Sequence, residues 1–109
     1  MRIEIDNRAD AAYIEVIPGS EVFSTEEIDD SLVVDLDKMR VVIGIEIIGL
    51  DHCVTLSQIC PLYHVRSDLE GELEEALQVV SSYTFQQNQL TSASRLQVTP
   101  KDKNHLEFS

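Results

Sequence analysis

Four carboxylates stand out because their spacing would place them on one surface. Glu4, Glu15, Asp35 and Glu46 each alternate with aliphatic residues. Period-two parity therefore aims all four, with Tyr13 among them, at the side of a sheet away from its core. The ordinary reading is a solvated acidic face with staggered charges, since acids on an open sheet face are common. Beyond it, two chemistries suit such an array: attraction of a basic protein, and oxygen ligation of a hard cation such as Mg²⁺ or Ca²⁺. The pairs Asp29-Asp30 and Asp35-Leu36-Asp37 add further acids. In a strand Asp35 and Asp37 would share a face about 7 Å apart, which suits turn and surface roles better than a closed cage. His52, Cys53, Cys60 and His64 invite a zinc reading, but they lack the close Cys pair of ordinary structural sites. Buried free thiols, acting as small hydrophobes, account for both cysteines. His64 is a candidate base with no organised partner. No Ser, Cys or His has a nucleophile's context, and the glycines form no phosphate-cradling loop. The expectation is therefore no catalytic residue, no metal ligand and no cofactor. What remains is a candidate partner-binding face of Glu4, Tyr13, Glu15, Asp35 and Glu46.

The elements that must carry this face are short strands. Residues 2–6 form the first, with Ile3 and Ile5 facing inward. Asn7 to Asp10 turn the chain, since Asn and Asp tolerate turn geometry. The second strand spans 11–17, with Ala12, Ile14 and Val16 inward, and Pro18-Gly19 ends it. Residues 21–30 read as an acidic connection with a short edge strand near Val22 and Phe23. Strand three covers 31–36 (Leu32, Val34 and Leu36 inward), and strand four covers 41–48 (Ile43, Ile45 and Ile47 inward). Short links make these an antiparallel meander. Strand four is expected to leave an open edge that pairs across a symmetry axis.

The aliphatic side needs a cover, and the segment at 67–83 supplies one. Leu69, Leu73, Ala76, Leu77 and Val80 recur at helical spacing. Ser67 and Glu70 have the pattern of a capping box. Residues 55–60 fit a short helix or an extended piece equally well, and Pro61 interrupts anything longer. Beyond residue 83 the chain turns polar and aperiodic, with a brief strand suggested at Leu96-Gln97-Val98. This tail is expected to be mobile, or ordered only by a partner subunit.

The chain has 109 residues and a net charge of −12. Residues 1–83 hold 18 acidic against 5 basic side chains, whereas 84–109 hold 2 against 3. Such a field repels phosphate backbones, so the expectation is no direct nucleic-acid contact. No apolar run reaches the roughly 18 residues needed to span a bilayer. The first residues alternate charge where a leader would be apolar, so no membrane partner and a cytoplasmic location are expected.

Several blocks resemble domain-of-unknown-function family 2283, small bacterial and archaeal proteins. The matching positions are Ile3 and Asp6, Ala9 to Ile14, Asp30 to Asp37, and Val42 to Ile47. The chain departs from the family pattern at three positions: Arg40 stands for a Gly, Ala12 for a Leu and Ile5 for an aromatic. The resemblance implies no assigned reaction. Some members look like partners of small toxin-like ribonucleases, which implies an antitoxin-like role.

The resulting expectation is an α+β protein: a four-stranded antiparallel β-meander with one face covered by a C-terminal helix, then a polar tail. Residues 1–83 would form one domain (sheet 1–50, helical segment 51–83) and 84–109 the tail. Functionally, the sequence reads as a non-enzymatic, homodimeric interaction module with a basic protein partner. The alternative is a small metal-dependent hydrolase using the acidic face.

Overall fold

The computed structural model describes residues 1–51 and 53–83, together with the backbone of 84–87 and 95–98. Six strands and one long helix follow in chain order: β1 (Arg2–Asp6), β2 (Ala11–Glu15), β3 (Ser24–Asp29), β4 (Leu32–Leu36), β5 (Val42–Ile48), α1 (Glu70–Gln87) and β6 (Arg95–Val98). They form one antiparallel sheet in the order β3-β4-β5-β2-β1-β6.

The α+β class holds, but the four-stranded meander needs three corrections. First, the first 50 residues hold five strands. Residues 24–29, read as mostly connection, pair with β4 from Ser24↔Leu36 to Asp29↔Leu32. Their polar side chains hid a strand because an edge strand needs little apolar area. Second, β2 pairs with β5 rather than with the strand that follows it. Third, β5 has neighbours on both sides. The open edge expected at 41–48 is therefore absent; β3 forms one end of the sheet instead. At the other end β6 pairs with β1 from Ile3↔Val98 to Asp6↔Arg95, so the brief strand anticipated near Leu96 is present. The rest of the expected tail lies outside the described residues, apart from α1 running on to Gln87.

One cluster of buried side chains joins the sheet to its cover. Ile3, Ile5, Ala12, Ile14, Val16, Leu32, Val34, Leu36, Val42, Ile45 and Ile47 meet Leu73, Ala76, Leu77, Val80 and Tyr83 of α1. At roughly 1.5–3 kcal/mol per fully buried large aliphatic side chain, this layer dominates stability. The inward residues match the alternation read from the sequence, with one exception. The β4–β5 register shifts so that Leu36 pairs with Val42 rather than Ile43. Val42 takes the core position, and Ile43 is buried outside that cluster.

The helix begins differently from expectation. Ser67–Leu69 forms a 3₁₀ turn with Arg66 at the cap and no side-chain cap, so the Ser67–Glu70 box does not form. Asp68 is engaged by Arg66 instead, Nη2 to Oδ2 at 2.6 Å. That hydrogen bond holds the Asp68 carboxyl below its usual range. Side-chain capping appears earlier, where Thr55 N–H donates to Gln58 Oε1 at 2.8 Å and starts the short 3₁₀ turn Leu56–Gln58.

The β4–β5 turn explains why Arg40 is tolerated. Its φ of 64° lies in the left-handed region that favours glycine. Asp37 Oδ1 accepts from Met39 N–H and Val41 N–H, at 2.8 and 3.0 Å, and so over-determines the turn. The Arg40 guanidinium carbon lies 5.8 Å from the centre of the Tyr63 ring. A cation–π contact at that range offsets about 0.5–1 kcal/mol of the strain.

Candidate functional site

The sheet has one side under α1 and the segment before it, and no described element packs on the other. The strand registers place every residue of the candidate face on that open side. One row across the strands reads Thr25, Asp35, Gly44, Glu15, Arg2, and the next reads Glu27, Val33, Glu46, Tyr13, Glu4. Glu4, Tyr13, Glu15, Asp35 and Glu46 are thus brought together as parity implied.

The arrangement avoids the repulsion that four aligned acids would suffer. No two of these carboxylates sit directly opposite one another. Glu15 faces Arg2 and Gly44, Asp35 faces Thr25 and Gly44, and Tyr13 separates Glu4 from Glu46. Acids on adjacent strands are therefore diagonal, where the penalty for like charge is reduced. Arg2 Nε lies 3.5 Å from Glu15 Oε1, an exposed pair that adds little stability.

Tyr13 organises the centre. Its hydroxyl donates to Asp35 Oδ2 at 2.7 Å, although Tyr13 is on β2 and Asp35 on β4. The ring must pass over β5 to reach it, and Gly44 makes this possible. A Cβ at residue 44 would fall on the Tyr13 hydroxyl and lie 2.7 Å from its ring carbon Cζ. Thr25 Oγ1 donates to Asp35 Oδ1, also at 2.7 Å, so each carboxylate oxygen is held from a different strand. Partial burial, then the Asp35 bond and the nearby charges of Asp35, Glu15 and Glu46, push the Tyr13 phenol well above its ordinary range. It therefore remains a protonated donor at neutral pH.

The other acids have separate work. Asp6 Oδ1 accepts from Arg8 N–H at 3.0 Å and Ala9 N–H at 3.2 Å. Asp10, at φ 54°, accepts from Leu50 N–H at 3.0 Å. Asp29 Oδ1 accepts from Ser31 N–H at 2.8 Å. These carboxylates and that of Asp37 satisfy turn amides. Since β4 ends at Leu36, Asp37 belongs to the turn and does not share a strand face with Asp35.

Cys53 and Cys60 are exposed free thiols, against the expectation of burial. They lie in and around a 3₁₀ turn, where no strand or helix face draws them inward. Partial desolvation, with the Glu70 charge second, raises the Cys60 thiol and leaves it a poor nucleophile. His52 lies outside the described residues. Among the described residues no group of three His, Cys, Asp or Glu side chains is arranged to hold a metal.

Sequence reasoning missed Thr25, Gly44 and Arg2. For Gly44 the signal was present: a glycine inside the aliphatic run from Val41 to Ile48 marks close approach by another group. Beside the Tyr13 ring a hollow of about 170 Å³ opens between Glu4, Asp6 and Glu46 over Ala9 and Ala11. It is wide enough for the head of one long basic side chain.

No helix among the described residues is long and apolar enough to cross a membrane. No curated protein and no solved structure matches the chain. Residues 2–50 match the family model described as protein of unknown function (DUF2283), so β1 to β5, with the whole acidic face, are the part of the chain that carries that family's pattern.

Proposed function

We propose that the protein is a non-enzymatic interaction module whose open sheet face docks a basic protein. The observation that carries this reading is the preorganised centre of the face. Tyr13 is fixed across β5 by Asp35, which Thr25 also holds, and Glu4, Glu15 and Glu46 surround it. A rigid aromatic among carboxylates suits an arginine or lysine, through stacking and charge together. If the partner is a ribonuclease, the carboxylates would stand in for substrate phosphates, and the role would be antitoxin-like.

The homodimer expected from the sequence loses one of its supports, the edge at 41–48, because β5 is paired on both sides. The reading therefore centres on a different, basic partner. Pull-down at low and high salt tests it with wild type beside a Glu15→Lys/Glu46→Lys double variant. Retention of a basic protein by wild type should weaken as salt rises, because the steering is electrostatic. The double charge reversal should reduce retention about 30-fold or more, since losing one partner of a desolvated interfacial charge pair costs about 2–5 kcal/mol. A partner retained unchanged by the double variant would remove this face as the docking site.

A further inference from the structure

The edge of the sheet at β3 offers a chemistry separate from the open face. Among the described residues β3 ends the strand order. One row of its main-chain N–H and C=O groups therefore has no described strand beside it, which is a template for another strand. The regular edge starts before β3 itself, where Phe23 N–H donates to Leu36 O at 2.8 Å. Pairing with β4 then runs straight to Glu27 and shifts between Glu27 and Asp29. Residues 23–27 form the straight part, roughly 17 Å long at 3.4 Å per residue.

The side chains select the kind of strand that pairs there. Residues 21–30 contain Glu21, Glu26, Glu27, Asp29 and Asp30, with no Lys or Arg. Glu26 lies opposite Val34, on the helix-covered side, and Glu27 lies opposite Val33, on the open side. Consecutive positions thus set a carboxylate on each side of the edge. A second copy pairing antiparallel keeps like faces together, so a two-fold centred on Glu26 or on Glu27 would set that glutamate against the same residue of its mate. Like charges directly opposite destabilise a ladder, and an inward charge on an edge strand guards against self-pairing. A strand with basic residues at those two places meets attraction instead. Phe23 and Val22, 67% and 49% exposed, add apolar contact at one end.

We infer that β3 is a strand-addition site for an extended basic segment of a partner polypeptide. Main-chain hydrogen bonds supply the affinity, and Glu26 and Glu27 select Lys or Arg at two adjacent positions. The site needs neither Tyr13 nor Glu46, so it stands or falls independently of the open-face reading.

The test uses the ¹⁵N-labelled full chain and a capped nine-residue peptide. The peptide alternates threonine and valine around two adjacent central lysines. Amide shifts should change in residues 23–27 and in β4, with exchange of the edge amides slowed about tenfold or more. These effects should vanish in Glu26→Lys/Glu27→Lys, whose fold circular dichroism checks, and persist in Glu15→Lys/Glu46→Lys. A peptide with two central glutamates should not bind, and one with a central proline should bind less because it lacks a main-chain donor. Any of four results overturns the inference: no slowing at the edge, equal binding of the glutamate peptide, equal binding of the proline peptide, or shifts centred on Tyr13 and Glu46. Concentration-dependent protection of β3 without peptide would also overturn it, by showing that a second copy occupies the edge.

Discussion

Substituting Val34 by aspartate is expected to leave the chain unfolded, whereas the same change one residue earlier, Val33→Asp, gives a folded protein. Val34 is fully buried within the aliphatic layer between sheet and helix. A carboxylate there loses roughly 1.5–3 kcal/mol of apolar burial. It must also desolvate without a partner, or take up a proton at a further cost of several kcal/mol. The whole stability of a domain this size is about 5–15 kcal/mol. Val33 instead lies on the half-exposed open side, opposite Glu27 and Glu46. An aspartate there adds two like-charge neighbours at about 0.2–1 kcal/mol each. Urea melts followed by far-ultraviolet circular dichroism separate the two. Equal damage from both would mean that the open side is covered.

Gly44→Ala carries the second large effect, and its sign should depend on Tyr13. In wild type the new methyl group occupies the place of the Tyr13 hydroxyl and lies 3.2 Å from Asp35 Oδ2. The ring must leave, the bond to Asp35 is lost, and stability should fall by about 1–2 kcal/mol. Gly44 is not among the glycines with positive φ, so alanine fits its backbone. In a Tyr13→Ala background only Asp35 Oδ2, at 3.2 Å, crowds the new methyl group, and that carboxylate oxygen, released by the tyrosine, has to give by only a few tenths of an ångström. The same substitution should then stabilise by up to about 1 kcal/mol, because glycine loses more freedom than alanine on entering a strand. A double-mutant cycle by chemical denaturation reads the change of sign. Equal destabilisation in both backgrounds would show that Gly44 answers to something other than Tyr13.

These two residues also mark how far the sequence was legible. Val34 and the other inward positions follow from alternation alone, because a slip of one residue would bury Asp35 and expose Leu36. The helix followed from its repeat of Leu73, Ala76, Leu77 and Val80. The candidate face was legible for the same reason, since parity says which side a residue takes. Strand order was not. Alternation carries no information about neighbours, so the pairing of β2 with β5, and the loss of the edge at 41–48, appear only in the fold. The edge strand expected near Val22 and Phe23 lies instead at Ser24–Asp29, and its extent escaped because Ser24, Thr25, Glu26 and Glu27 have no apolar rhythm. Register was the other hidden quantity. The offset that sets Asp35 and Glu15 on either side of Gly44, and lets Tyr13 reach Asp35, depends on pairings that no single strand encodes. The shift exchanging Val42 for Ile43 belongs with it.

The central claim is that the open face around Tyr13 is where a partner docks. Hydrogen exchange read by mass spectrometry, on the full chain with and without the basic protein it retains, tests this most directly. The account predicts slowed exchange in peptides covering 11–16, 32–37 and 42–47, the three strands that carry Tyr13, Glu15, Asp35 and Glu46, with α1 unchanged. Slowed exchange confined to α1 and the segment before it would contradict the claim and place the partner on the helical side.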